Sequence, residues 1–293
     1  MINWIISFLS GRSQSCKING ILSPWLRVNL GIVQGSGIGP TLYIIQESDL
    51  KTLSEVNILM KYADDTNLLV PSGTDVILEE EYLNVKRWAE VNKMLLNAAK
   101  TKEIVFRRPN LRSSSFDLPR LTGIERIAQS KLLGVVITDN LKFKDHVDLT
   151  LRTCSQRLYL LRKLRSQGLL SCQLNTVCIA TVISRLTYAI SSWGGFCTAA
   201  DVNRINSFLR RLVKYGYLST NTDFLTLLKQ ADHRLFSRMC ASEQHCLHQI
   251  LPALKAETTT YLLRKRSHDF VLPVFRYELY KKSFLLRCLY SVV

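Results

Sequence analysis

The chain has 293 residues, 47% hydrophobic and 21% charged, with 39 Lys+Arg against 23 Asp+Glu for a formal net charge of +16. That length gives room for two or three small domains with a substantial core, and the composition excludes a disordered chain. The charge is unevenly placed: residues 1–150 hold 18 Lys+Arg against 16 Asp+Glu, whereas residues 151–293 hold 21 against 7, so the second half carries nearly all of the positive field and points to an anionic partner.

Residues 2–10 are expected to form a short amphipathic helix ending near Gly11. They lack a basic leading segment and a cleavage site, so no signal peptide is expected. Two β-like runs follow, Ser15 to Ile18 and Ile21 onward, joined by Asn19-Gly20, the dipeptide preferred where both turn residues need positive φ. The stretch Gly31 to Pro40 contains Gln34, Gly35 and Ser36 and four glycines, which let backbone approach a ligand closely; glycines serving only a tight turn would account for it as well. Pro40 suits the first turn of a helix running to about Leu50.

Apolar residues lead up to Tyr62-Ala63-Asp64-Asp65 (Val56, Ile58, Leu59, Met60) and away from it (Leu68, Leu69, Val70), which reads as a hairpin with two carboxylates at its tip. Adjacent carboxylates repel each other, and hard oxygen ligands of this kind suit Mg²⁺; an ordinary Asp-rich turn is the plain alternative. Ser72 or Thr74 offers an N-cap to a helix of about 75–96, with Leu78, Tyr82, Val85, Trp88 and Leu95 at helical spacing. Asn97 to Lys102 turns the chain into a strand from Glu103 to Phe106. Residues 107–120 read as a polar loop, and 131–138 suggest a further strand pair.

From Phe143 onward helices dominate, with Val147, Leu151, Cys154, Leu158 and Leu161 at steps of four and three, and a domain boundary is placed near 140. Between Asp148 and Asp201 there is no acidic residue, although Arg152, Arg157, Arg162, Lys163, Arg165 and Arg185 are present. Such a stretch suits phosphates along a nucleic-acid backbone, or less well an anionic membrane surface. The longest apolar run, 176–193, contains Arg185, and no membrane span is expected. The eight cysteines form no CxxC pair and read as reduced thiols of an intracellular protein. The spacing of His233, Cys240, His245, Cys246 and His248 matches neither a zinc knuckle nor a finger. Trp193-Gly194-Gly195 could stack a base or form a packed turn, and Arg264-Lys265-Arg266 is too short for a localisation signal.

In chain order, Val28 to Pro40 with its Gln-Gly-Ser…Gly-Pro block, the Tyr62 to Asp65 box, Leu96-Asn97…Lys100-Thr101-Lys102…Phe106 and Leu133-Gly134-Val135 resemble the reverse transcriptases of non-LTR (LINE-like) retrotransposons. The match covers the first 165 residues or so, and a looser similarity continues through Trp193-Gly194-Gly195 to Val293. The resemblance implies an α+β fold: a partial polymerase palm, an antiparallel sheet with helices on one face, over 1–140. It is followed by a mostly α-helical basic region, with thumb-like helices over 141–200 and a helical region of unassigned role over 201–293.

The resemblance also implies template-directed nucleotidyl transfer. Asp64 and Asp65 would hold two Mg²⁺ ions, with Mn²⁺ an alternative, and Lys100 would place positive charge near the triphosphate. Tyr62 and Ala63 would line the primer end, Gln34, Gly35 and Ser36 would shape the nucleotide and template pocket, and Leu133 and Gly134 would grip the primer. Arg152, Arg157, Arg162, Lys163 and Arg165 would track the backbone of an RNA–DNA duplex. The implied partners are an RNA template and a DNA primer, in the cytoplasm or nucleus. The chain departs from the family in one respect that matters: a further metal-bridging Asp is expected before the Gln-Gly block, and here the first acidic residue of any kind is Glu47. Val33, where Pro is usual, and Gln46-Glu47-Ser48 are smaller departures. The 293-residue chain is therefore expected to be inactive by itself. The competing readings are a non-catalytic nucleic-acid-binding remnant and a remnant that does not fold stably.

Overall fold

The computed structural model describes residues 2–107, 118–255, 268–275 and 277–291. The polar loop expected over 107–120 and Arg264-Lys265-Arg266 fall largely or wholly outside these. The chain divides into two compact units, one of residues 1–101 with 119–125 and one of residues 102–118 with 126–293. The fold is α+β, as expected. Among the described residues the strands pair in twos, as separate ribbons and not as one continuous sheet.

In the first unit, α1 (Ile2–Leu9) precedes four two-residue strands, β1 (Ser13–Gln14), β2 (Lys17–Ile18), β3 (Ile21–Leu22) and β4 (Leu26–Arg27). β2 pairs with β3 across Asn19 and Gly20, at φ +50° and +85°, the conformation this dipeptide supplies cheaply. α2 (Gly39–Gln46) starts with Pro40 in its first turn and ends before the Leu50 expected for it. β5 (Ile58–Tyr62) and β6 (Asp65–Leu69) form a five-pair hairpin. One part of its apolar surface is not covered: Ile58 is 52% and Met60 46% exposed, while Leu59 and Leu68 are half-buried.

α3 spans Leu78–Val91, shorter than the 75–96 expected, and its N-cap is Ile77 with no side-chain cap from Ser72 or Thr74. Thr74 Oγ1 instead accepts from the Val76 amide and donates to Asn57 Oδ1. The helix stops early because Lys93 adopts a left-handed conformation, φ +56°. Lys93 N–H then reaches Glu90 O at 3.1 Å and Met94 N–H reaches Ala89 O at 2.8 Å, a Schellman closure made without glycine. Leu95, expected on the buried face, lies beyond it and is 99% exposed.

The second unit opens with β7 (Lys102–Glu103), a shorter strand than the 103–106 expected; β8 (Glu125–Arg126) straddles the division of the chain between the units. β9 (Gln129–Leu132) and β10 (Val135–Thr138) form a hairpin. Helices follow: α4 (Lys144–Ser166), α5 (Ser171–Cys178), α6 (Ser184–Leu186), α7 (Ile190–Trp193), α8 (Ala199–Lys214), α9 (Phe224–Ala241), α10 (Glu278–Lys281) and α11 (Phe284–Ser291). The position near 140 falls inside this unit, where β10 contacts α4.

The core of the second unit is where apolar spacing converges. Val147, Cys154 and Leu161 of α4 are at most 1% exposed, with Leu151 and Leu158 half-buried against them. Leu174, Cys178, Val182, Leu186, Ile190 and Trp193 are equally buried, at intervals of four, four, four, four and three. A strict four-residue stripe drifts about 40° per step around an α-helix. The π-helical turn Ile179–Ile183 between α5 and α6 widens the helix by a residue and keeps the stripe on one face. By length and composition the run Ser171–Phe196 could cross a membrane; here its stripe forms part of the protein core. α8 starts on a capping box in which Thr198 and Asp201 exchange hydrogen bonds, and α9 on Asp223, which accepts from the Thr226 amide at 2.9 Å.

Candidate functional site

The β5–β6 hairpin presents its two-residue turn, Ala63-Asp64, at the end of the Tyr62↔Asp65 pair. Ala63 sits at φ +50°, a left-handed conformation that costs a β-carbon roughly 1–2 kcal/mol. Asp64 and Asp65 are exposed and next to one another. Among the described residues no group of three or more His, Cys, Asp or Glu gathers as a metal site.

A polar network anchors the strand leading into this tip. Glu81, fully buried in the first turn of α3, accepts from the Leu53 and Ser54 amides and from Asn57 Nδ2 at 2.9–3.0 Å. Burial pushes its carboxyl up, and the hydrogen bonds from Asn57, Leu53 and Ser54 outweigh that, so its pKa lies below the ordinary value. On the other side, Lys61 Nζ donates to the carbonyls of Glu47 and Leu50. The Tyr43 hydroxyl donates to Glu47 Oε1 at 2.5 Å. Burial, the bond to Glu47 and the charges of Glu47 and Asp64 together raise the Tyr43 pKa well above its ordinary value, so this phenol stays neutral beside the tip.

Gln34 and Gly35 occupy the centre of a tight turn closed by Ser36 N–H to Val33 O at 3.3 Å, with Gly35 at φ +81°, the conformation a type II turn requires there. Ser36 Oγ also donates to Val33 O at 2.7 Å. A β-carbon on Gly39 would lie 2.9 Å from Ser36 Oγ and 3.2 Å from Val33 O, so the start of α2 needs a glycine. Lys100 is exposed in the turn Asn97–Thr101, its amide bonded to Asn97. Among the described residues no hydrogen bond joins Gln34, Gly35, Ser36 or Lys100 to the hairpin tip.

In the second unit Leu133 and Gly134 form the β9–β10 turn at φ +44° and +88°. Tyr188 holds it: its hydroxyl donates to Leu133 O at 2.8 Å, and a β-carbon on Gly134 would sit 3.2 Å from the Tyr188 ring. His146 Nδ1 accepts from the Val136 amide at 3.2 Å, and its ring meets Trp193 edge-on at 4.8 Å. The basic residues of α4 divide in two. Arg157 donates to Thr181 O, and Arg165 donates to Tyr215 O with its guanidinium 4.1 Å from the Tyr217 ring centre, so both brace neighbouring helices. Arg152, Arg162 and Lys163 are exposed, as Arg165 is, but none of the three donates to a neighbouring helix among the described residues. Nothing in the spacing of Glu81, His146 or Tyr188 marked them; their roles come from partners distant in sequence.

Comparison with known proteins supports the resemblance drawn from the motifs. The chain is 30% identical over 185 residues to the RNA-directed DNA polymerase from mobile element jockey of Drosophila melanogaster, covering 58% of this chain and 20% of that protein. It is 25% identical over 285 residues to the probable RNA-directed DNA polymerase from transposon BS of Drosophila melanogaster, covering 91% of this chain and 29% of that protein. A probable RNA-directed DNA polymerase from transposon X-element of the same species is 25% identical over 225 residues, covering 71% and 24%. The chain thus spans between a fifth and three tenths of the length of these relatives. No family model matches it, and no solved structure does.

Proposed function

We propose, from this similarity, that the chain is a palm and thumb portion of a retrotransposon RNA-directed DNA polymerase, with Asp64 and Asp65 as its metal-binding carboxylates. The observation that carries the reading is the hairpin that sets both carboxylates, exposed and adjacent, at a tip anchored from two sides. The donor set fits Mg²⁺, because two hard carboxylates with open surroundings leave the remaining coordination to substrate phosphates and water. When bound, such ions lower the pKa of an attacking 3′-hydroxyl and neutralise the departing pyrophosphate.

The chain's own residues position the components. Lys61 and Glu81 fix the hairpin, and neutral Tyr43 adds no charge beside Asp64. Lys100 supplies positive charge toward the triphosphate, Gln34 to Ser36 with Tyr62 and Ala63 border the nucleotide and primer end, and the Leu133-Gly134 turn supports the primer strand. An RNA template and a DNA primer are the partners. With two carboxylates and no third in their group among the described residues, the 293-residue chain alone is proposed to be inactive, since phosphoryl transfer depends on the full electrostatic clamp. Primer extension on an RNA template with Mg²⁺ or Mn²⁺ should give no product; synthesis that disappears in Asp64→Asn would overturn the inactivity.

A second reading, non-catalytic nucleic-acid binding, is favoured by the acid-free segment 149–200 and predicts binding that weakens steeply with salt.

A further inference from the structure

α4 and α8 lie side by side in the same direction. Near their starts Arg204 donates to Asp148, and near their ends Arg165 donates to Tyr215 O. Between these ties a hollow of about 630 Å³ opens along the seam, with Arg152 and Ser155 on the α4 wall and Asn203, Ser207 and Arg211 on the α8 wall. Arg152 and Arg211 are exposed and form no ion pair among the described residues, and Arg211 rests on the ring of Phe208 at 5.5 Å. The carboxylates at the head of the seam are engaged: Asp148 by Arg204, and Asp201 by its helix cap and by Arg204 at 3.6 Å. From Asp148 to the end of α4, and from Asp201 to the end of α8, no further acidic residue follows.

We propose that this seam is a binding groove for one phosphodiester strand of a nucleic acid, with Arg152 and Arg211 as opposed phosphate contacts and the Asp148–Arg204 pair closing one end. Two guanidiniums with no ion pair among the described residues, lining one hollow with polar Ser155 and Asn203, suit a polyanion better than an apolar ligand. The hollow is open along the seam, which suits an extended sugar-phosphate backbone lying in it. The groove adds Arg211 to the contacts expected from sequence, whereas Arg157 and Arg165 each give a donor to a carbonyl of a neighbouring segment and do not line it. It deepens the nucleic-acid reading above and rests on it.

The test is the salt dependence of binding of a short labelled single-stranded RNA of mixed sequence, by fluorescence anisotropy, with the whole chain. Arg152→Ala and Arg211→Ala should each weaken binding and lower the slope of log K against log salt by about one, and together by about two. The Lys variants at both positions should keep the slope, and Arg157→Ala or Arg165→Ala should lower the melting temperature without changing it. An unchanged slope in the Arg152→Ala/Arg211→Ala protein, with a cooperative melt retained, would overturn the groove while leaving nucleic-acid binding in place. No RNA binding by the parent at any salt would overturn both. Binding to phosphatidylserine vesicles that requires Arg152 and Arg211, with RNA binding unaffected by them, would assign the groove to a membrane surface and also overturn the proposal.

Discussion

Gly195 shows how tightly a single position can be fixed. A β-carbon there would collide with Arg287 Nη1 and Lys282 O, and Arg287 threads past it to a half-buried ion pair with Asp232 and to Ser191 O at 2.8 Å. Gly195→Ala should therefore cost about 1–3 kcal/mol through overpacking, read as a lower midpoint in chemical denaturation; parental stability would contradict the contact. This accounts for Trp193-Gly194-Gly195 as a packed turn and not a stacking platform, since Trp193 itself is 1% exposed. His146 carries a pH dependence. Burial, and then the charge of Arg185, hold it down at about 4 from an ordinary 6.5. Between these values the unfolded chain binds the extra proton, so stability is full above about 6.5 and falls as the pH drops toward 4. Urea denaturation across that window should show the loss in the parent and a flatter profile in His146→Gln; equal profiles would contradict it.

At the scale of elements, the legible features were those set by local chemistry. Asn19-Gly20 dictated a hairpin, Pro40 a helix start, and the spacing of Val147 to Leu161 a buried face, because each depends on residues within one or two turns. The end of α3 was not legible, since Lys93 takes a left-handed conformation usually left to glycine. Nor was the anchoring of the β5–β6 hairpin, which rests on Glu81 receiving bonds from residues 24 to 28 positions earlier. That anchor is testable: Glu81→Gln replaces a charged acceptor by one that brings unwanted donors, and should cost about 1–3 kcal/mol. Hydrogen exchange should then quicken at the Leu53 and Ser54 amides; unchanged protection there would contradict the anchoring. The Tyr62–Asp65 turn was readable as a hairpin from its flanking apolar residues, but the exposure of Ile58 and Met60 was not, because pattern alone does not say what covers a face.

Across the whole molecule, charge and chemistry are divided. The first unit holds the paired aspartates, and the helical unit holds most of the positive field and the core. Composition revealed that asymmetry, whereas the choice of which arginines face solvent emerged only from the packing of α4 against its neighbours. The chain is similar to a fifth to three tenths of the length of three transposon polymerases, and the proposed function requires that the hairpin tip take a divalent cation. The most direct measurement is paramagnetic broadening of backbone amide signals by substoichiometric Mn²⁺. Amides around Asp64 and Asp65 should broaden first, and Asp64→Asn/Asp65→Asn should abolish the effect. Broadening that begins elsewhere, or that persists in the double variant, would contradict the proposed function.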